Sequence, residues 1–175
     1  DYKGHVISNG TFSKILAPGT RVGWMECPPR TTEEFKKNGF LNSGGAINNY
    51  TSGVIGSMIE LGLADAQLRE SSRQYKEQRE ALCDVLDQNL PSSCSFLRPR
   101  GGYFVWIKLP ENVNGELLSD FILKQKKVFA VKGNRFSYEN KSKNFLRVTF
   151  AFHPPPILKE AAKSLCDGIN EFLLL

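Results

Sequence analysis

A lysine, two hydroxyl side chains and an arginine lie close together near the start of this sequence. Thr11 and Ser13 come just before Lys14, and Arg21 follows seven positions after the lysine. Hydroxyls and backbone N–H groups in a turn can hold phosphate oxygens, and a guanidinium can bind them in bidentate fashion. A lysine amine can condense with an aldehyde. Pyridoxal 5′-phosphate carries both a phosphate and an aldehyde, so these residues predict a site for this cofactor.

A second arginine lies in a short segment that reads as a β-strand. The alternation over residues 145–150 places Leu146, Val148 and Phe150 on one face and Phe145, Arg147 and Thr149 on the other. Arg147 is therefore expected on a stiff strand between bulky neighbours. Taken alone, an arginine in a strand is usually an ordinary edge or surface residue.

The lysine segment resembles a known family. Gly-Thr-Phe-Ser-Lys at residues 10–14, followed by Leu-Ala-Pro-Gly-Thr-Arg-Val-Gly-Trp at residues 16–24, closely resembles the Schiff-base lysine motif of fold-type I, class I/II aminotransferases. The Ala-Pro-Gly form is similar to the 2-aminoadipate and kynurenine aminotransferase subgroup. This resemblance implies that Lys14 is the catalytic Schiff-base lysine and that Thr11, Ser13 and Arg21 bind the cofactor phosphate. Thr11 replaces the serine that is usual in the family and keeps the hydroxyl.

The arginine segment supports the same resemblance. Phe-Leu-Arg-Val-Thr-Phe at residues 145–150 is similar to the family's Leu-Arg-Leu-x-Phe segment, and Pro-x-Gly-Gly-Tyr-Phe-x-Trp at residues 99–106 is a second landmark in the right order. The resemblance implies that Arg147 binds the α-carboxylate of the substrate. The implied reaction is transamination between an amino acid and a 2-oxo acid, with Lys14 as the proton shuttle.

Three other interpretations share some of these residues. Pyridoxal phosphate-dependent lyases and synthases use the same fold and the same Lys14, Arg21 and Arg147. Some transcription regulators fuse a DNA-binding helix-turn-helix to an aminotransferase-like domain with a similar lysine motif. An acyl-enzyme site of the Ser-x-x-Lys type would need a serine at position 11 and further motifs that this sequence lacks.

The composition is that of a folded protein without a dedicated nucleic-acid surface. The chain has 175 residues, 41% of them hydrophobic, which is enough for a sizeable core. The net charge of +5 does not predict nucleic-acid binding, because the basic residues are scattered among acidic ones and not massed on one face. The four cysteines have no metal-ligand spacing and are expected to be free thiols. We expect no metal, no membrane segment, a cytoplasmic location and a homodimer, the last from the resemblance.

The fold class that the resemblance implies is α/β, corresponding to the C-terminal part of a pyridoxal phosphate-dependent transferase fold. Residues 1–71 are expected to be the end of the cofactor-binding large domain, which has a mixed sheet. Residues 72–175 are expected to contain a long connecting helix and a small α/β domain. The chain begins at Asp1, without an initiator methionine, close to the lysine strand. We therefore expect an incomplete enzyme that is inactive alone, since family members carry further cofactor residues upstream.

The hydrophobic periodicity gives the individual elements. Strands are predicted at Val6–Ser8 and Arg21–Glu26, and a helix is predicted to begin at Thr31 as its cap. A loop with Gly44-Gly45 is predicted before a helix at Tyr50–Leu63, and the long helix spans about Glu70–Leu90, ended by Pro91. The later predictions are a hairpin at Ser95–Arg98 and Tyr103–Lys108, a helix capped by Asn114 with Leu117, Leu118, Phe121 and Ile122 inward, strands at Val128–Val131 and Phe145–Phe150, and a helix at Ile157–Phe172.

Overall fold

The computed structural model describes residues 6–42, 47–139 and 141–175 and divides the chain into two compact units, the first ending at Ser72 and the second covering Arg73–Leu175. The first unit contains β1 (Ser8–Thr11), β2 (Gly23–Glu26), α1 (Pro29–Lys36), α2 (Gly39–Asn42) and α3 (Asn49–Glu60). Helix α4 (Leu63–Asn89) includes the point of division. The second unit contains β3 (Ser95–Phe96), β4 (Phe104–Lys108), α5 (Gly115–Lys126), β5 (Val131–Lys132), β6 (Phe145–Thr149) and α6 (Pro155–Leu173). The fold class is α/β, as predicted.

Strands β1 and β2 form an antiparallel hairpin in the first unit. Their register runs from Ser8 opposite Glu26 to Thr11 opposite Gly23. The prediction of a strand at Val6–Ser8 was wrong in position, because the paired residues begin at Ser8 and include Gly10. Glycine weakens a strand in general. Here the side chain of Trp24, directly across from Gly10, occupies the space that a side chain at position 10 would need.

The helices of the first unit differ from the prediction mainly at their ends. Helix α1 begins at Pro29 and not after Thr31, because a proline at the first helical position gives up an N–H that would be unpaired there anyway. The short helix α2 replaces the first part of the predicted loop, whose Gly44-Gly45 lies outside the described residues. Helix α3 is present where a helix was predicted, but it ends at Glu60 and not at Leu63. Among the described residues of this unit, Ile55 is the only one that is fully buried.

The second unit is built on a four-stranded sheet in the order β3-β4-β6-β5, in which every neighbouring pair is antiparallel. Strands β4 and β6 pair over five residues, from Phe104 opposite Thr149 to Lys108 opposite Phe145. The predicted alternation in β6 is confirmed, since Leu146 and Val148 are buried while Arg147 lies on the other face. The strand predicted at Val128–Val131 is displaced, because pairing with β6 begins only at Val131.

The helices of this unit follow the predicted periodicity with one error. Helix α4 is longer at its start than predicted and ends at Asn89, before Pro91. The Asn114 cap is confirmed, because its Oδ1 accepts a hydrogen bond of 2.8 Å from the backbone N–H of Glu116. Leu117 was predicted to face inward but is 60% exposed. Ser119 is buried at the core instead, and its hydroxyl donates a hydrogen bond of 2.6 Å to the carbonyl of Ala130.

A single hydrophobic core joins the sheet and helices of the second unit. Its fully buried members include Leu86 of α4, Val105 and Ile107 of β4, Leu118 and Ile122 of α5, Leu146 of β6, and Leu165 and Ile169 of α6. This core covers one face of the sheet, and Arg147 lies on the opposite face. In the part of the chain that the structure describes, no helix has the length and apolarity that crossing a bilayer would require.

Candidate functional site

Lys14 lies in the turn that connects β1 to β2. The carbonyl of Phe12 accepts hydrogen bonds from the backbone N–H groups of three following residues, Ile15, Leu16 and Ala17, at 3.2, 2.9 and 3.2 Å. The N–H of Phe12 in turn donates to the carbonyl of Val22 at 3.1 Å. The turn is therefore closed at both ends by hydrogen bonds, which fix the backbone on either side of Lys14.

The two hydroxyl side chains before Lys14 contact each other. Thr11 Oγ1 accepts a hydrogen bond from the N–H of Ser13 at 3.1 Å and donates to Ser13 Oγ at 3.0 Å. Threonine and serine hydroxyls can rotate to donate to a ligand instead. The structure therefore brings Thr11 and Ser13 together as a pair of adjacent donors at the end of β1.

Arg21 occupies an unusual backbone conformation at the other end of the turn. Its φ of 51° and ψ of 38° lie in the left-handed region, where a residue other than glycine is uncommon. Its Nη1 donates to the carbonyl of Pro18 at 3.0 Å. This contact uses one of the five N–H donors of the guanidinium. Such outliers cluster at ligand sites, where the surrounding structure holds them in place.

Asn48 holds this strained backbone from a distant point in the sequence. Its side-chain amide donates to the carbonyls of Thr20 at 2.9 Å and of Arg21 at 3.3 Å. Asn48 immediately precedes α3, yet its side chain makes no capping hydrogen bond there. This role was not predicted from the sequence. An asparagine before a helix predicts a cap, and nothing in the local sequence points to a partner 28 residues earlier.

The donor set of the hairpin suits a phosphate beside an aldehyde. A guanidinium, two hydroxyls and backbone N–H groups are the groups that bind phosphate oxygens, and Lys14 adds a primary amine in the same turn. No carboxylate side chain occurs between Val6 and Met25. The turn therefore offers positive and neutral donors only, which favours an anionic ligand.

Arg147 lies in the second unit, on the sheet face opposite the helices. Its Cζ atom is 3.9 Å from the centroid of the Phe104 ring and 4.1 Å from that of the Phe136 ring. Its Nε is buried and has no hydrogen-bond partner among the described residues. A buried guanidinium N–H without an acceptor is unfavourable, which suggests that this position receives a ligand.

Another cation on this sheet, Lys132 of β5, is already paired. It contacts Glu116 Oε1 at 3.1 Å and Asp120 Oδ2 at 3.0 Å. Hydrogen bonds to Asp120 and Glu116 raise the pKa of Lys132, so it remains charged at neutral pH. The two carboxylates of α5 are thus directed to Lys132, and in the described part of the chain no carboxylate forms an ion pair with Arg147.

Comparison with known proteins gives a consistent result. Residues 1–165 match the family described as aminotransferase class I and II. Aromatic-amino-acid aminotransferase 1 of Thermococcus litoralis is 33% identical over 98% of this chain, which spans 40% of that protein. The kynurenine aminotransferase of Pyrococcus horikoshii superposes over 99% of the chain with a TM-score of 0.88 at 30% identity, and the chain covers 42% of it.

A third similar protein was solved with a cofactor adduct. The α-aminoadipate aminotransferase of Thermus thermophilus, complexed with N-(5′-phosphopyridoxyl)-L-leucine, superposes over 96% of the chain with a TM-score of 0.83 at 26% identity, and the chain covers 42% of it. More distant relatives include proteins named as HTH-type transcriptional regulators, one of them from Bacillus subtilis at 27% identity over 87% of the chain. The chain thus spans well under half the length of these similar proteins.

Proposed function

Because this chain belongs to the aminotransferase class I and II family, we propose that the protein transfers an amino group between an amino acid and a 2-oxo acid, with pyridoxal 5′-phosphate held at Lys14. The observation that carries the proposal is the hairpin turn, in which Lys14 lies between a hydroxyl pair and an arginine in a strained conformation. The solved relative with a phosphopyridoxyl adduct supports the choice of cofactor.

Each residue has a distinct role in this proposal. Thr11, Ser13 and Arg21 hold the cofactor phosphate through hydroxyl and guanidinium donors. The Lys14 amine would hold the cofactor and, when free, would take up the proton from the substrate Cα. Bound pyridoxal phosphate supplies an electron sink for the charge that this proton transfer leaves behind. Asn48 keeps the backbone at Arg21 in the conformation that directs the guanidinium.

Arg147 provides the second contact that a transaminase needs. An amino acid must present its amine to the cofactor while its carboxylate is held in a fixed position. A planar guanidinium that is always charged can bind both carboxylate oxygens at once. The buried Nε of Arg147, which lacks an acceptor in the described structure, supports this role.

The proposal extends to the domains and the assembly. Residues 1–71 are proposed as the end of the cofactor-binding large domain, and residues 72–175 as the connecting helix and small domain. The division between Ser72 and Arg73 supports this boundary.

A homodimer is proposed because Phe40, Ile47 and Tyr50 are more than 70% exposed. These are large apolar or aromatic side chains that other protein surface would cover. Four free thiols suit the cytoplasm, which is reducing.

The full-length protein with bound cofactor tests the reaction class directly. The protein is incubated with a panel of amino acids and no 2-oxo acid, and the keto acid released is quantified. A transaminase releases at most one equivalent per site, because the cofactor then retains the amino group, and adding a 2-oxo acid restores turnover. Continuous turnover without an acceptor would identify a lyase or synthase instead.

The relatives named as transcriptional regulators give a second candidate function, an effector domain that binds the cofactor without catalysing transfer. The same experiment separates the two. A regulator would bind pyridoxal phosphate at Lys14 and release no keto acid under either condition. It would also carry a helix-turn-helix outside these 175 residues, which the sequence of the complete gene would reveal.

A further inference from the structure

The guanidinium of Arg147 contacts two aromatic rings that come from different elements. Phe104 belongs to β4 and Phe136 to the 3₁₀ turn Gly133–Phe136, and their ring centroids are 3.9 and 4.1 Å from Arg147 Cζ. Distances near 4 Å are those of a favourable cation–π contact. Two such contacts restrict the orientation of the planar group, whose N–H donors point along its edges.

The position of Phe136 is fixed by close backbone packing. A Cβ atom on Gly133 would lie 2.5 Å from the carbonyl oxygen of Ser142 and 2.7 Å from that of Phe145. The turn therefore approaches the start of β6 more closely than any residue with a side chain could. This contact sets where Phe136, three residues later, meets Arg147.

Trp106 supports the same arrangement from β4. It pairs directly with Arg147 across the two strands. Its ring meets the Phe136 ring edge to face at 5.6 Å and stacks on the Phe145 ring at 5.4 Å. Such contacts restrict the Phe136 ring, although 46% of that residue is exposed.

From this geometry we propose that Phe104 and Phe136 are positioning residues for carboxylate recognition. The two rings hold the plane of the Arg147 guanidinium so that a carboxylate is received in that plane, at the edge that includes the unpartnered Nε. The inference rests on the proposed role of Arg147 and explains how its guanidinium is held in one orientation before the carboxylate binds. An arginine side chain has many rotamers, and holding one of them before the ligand arrives reduces the entropy lost on binding.

The rings contact the arginine and not the reacting atoms, so their loss should change binding more than the chemical step. Replacing Phe136 or Phe104 with leucine keeps an apolar side chain and removes the π face. We expect a KM for the amino acid, and a Kd for an unreactive carboxylate, raised about tenfold for either substitution, with kcat changed less than about threefold. Phe136→Tyr keeps the ring and should behave as wild type.

The experiment uses the full-length protein with bound cofactor and two readouts. The first is steady-state kinetics, which separates KM from kcat. The second is calorimetric titration with 4-methylpentanoate, a monocarboxylate that has neither an amine nor a keto group and cannot react. The variants are Phe104→Leu, Phe136→Leu, Phe136→Tyr and Arg147→Met. Phe152→Leu is the matched control, because Phe152 is an exposed ring and the cation–π contacts of Arg147 in the described structure are with Phe104 and Phe136.

The outcomes distinguish this inference from the proposed function. If Arg147→Met loses the carboxylate probe while both leucine variants bind it like wild type, the positioning role is wrong and the function proposal stands. If Arg147→Met binds the probe normally, Arg147 is not the carboxylate site and both fail. Thermal unfolding accompanies each variant. A leucine variant that no longer folds, or a Phe136→Tyr variant as weak as Phe136→Leu, would also overturn the positioning role.

Discussion

The indole ring of Trp24 lies directly over Gly10 on the neighbouring strand. A Cβ atom on Gly10 would lie 2.0 Å from Cε2 and 2.1 Å from Cζ2 of that ring, far inside van der Waals contact. Trp24 also packs against Phe12, with ring centroids 4.9 Å apart. Because Phe12 supplies the carbonyl on which the lysine turn closes, the pair of Gly10 and Trp24 connects strand packing to the position of Lys14.

We predict that Gly10→Ala weakens cofactor binding and lowers stability by about 1 to 3 kcal/mol, since the new methyl group must displace the Trp24 ring. Cofactor content by absorbance and thermal unfolding of the full-length protein measure the two effects. The double variant Gly10→Ala, Trp24→Leu should recover part of the loss. Gly53→Ala is the control, because a Cβ atom there meets nothing within 4 Å. Equal behaviour of Gly10→Ala and Gly53→Ala would contradict the prediction.

A second prediction concerns the attachment of the cofactor. Borohydride reduction of the full-length protein with bound pyridoxal phosphate should fix the cofactor to Lys14, because its amine is the one placed among phosphate donors. Peptide mapping by mass spectrometry identifies the modified residue. Lys14→Arg should abolish the adduct, while Lys37→Arg, which changes a surface lysine paired with Glu34, should leave it intact. A reduced adduct on any other lysine would refute the assignment.

The parts of the fold that were predicted correctly depend on neighbours in the sequence. Asn114 caps α5 because the group it bonds is two residues away, and the alternation of 145–150 sets which side chains of β6 are buried. Both features follow from local backbone geometry and can therefore be predicted from the sequence alone. The motif residues from Thr11 to Arg21 could be named from the sequence, and their functional roles stay predictions.

The parts that were missed depend on residues far apart in the chain. The start of β1 was misplaced because Gly10 is suitable for a strand only when Trp24 covers it. The contact of Asn48 with Arg21 could not be predicted, because the Asn48 side chain does not cap its own helix. It donates instead to backbone carbonyls in the turn that contains Lys14. The Phe136 ring could not be placed over Arg147, because that contact depends on how the turn at Gly133 packs against β6. Tertiary packing, not propensity, decides these cases.

The buried thiols give a prediction about alkaline pH. Burial raises the pKa of Cys83 to about 11 and that of Cys166 to about 12, from an ordinary value of 9.0. The neutral thiol is thus favoured in the folded state, so these groups contribute stability that is fully present below pH 9. That stability is lost as pH rises through about 11 to 12, because the unfolded chain releases the protons first.

Denaturant unfolding between about pH 8 and 12 tests this, because that range spans both the ordinary and the raised thiol pKa values. Other groups also titrate in this range, so the informative quantity is the difference between variants. Cys166→Ala should show a shallower loss of stability with pH than wild type, and Cys27→Ala, which removes a thiol outside the core cluster, serves as the comparison. Parallel profiles for all three proteins would show that the buried thiols do not contribute to the pH dependence.

The last prediction concerns the second unit by itself. All members of the main core cluster, from Leu82 to Ile169, lie within residues 73–175, whereas the described part of the first unit has one fully buried residue, Ile55. A segment that carries its own closed core can offset the entropy of ordering its chain, and one without a core cannot. Residues 73–175 expressed alone should therefore fold as a monomer with a cooperative transition, while residues 1–72 alone should not.

Circular dichroism with chemical denaturation checks this for both segments. Leu146→Ala in the isolated second unit should cost about 2 to 5 kcal/mol, because it empties a fully buried position in the central part of the sheet. Leu117→Ala should cost far less, since that side chain is 60% exposed on α5. A broad transition for residues 73–175, or equal effects of the two substitutions, would mean that the second unit needs the rest of the protein to complete its core.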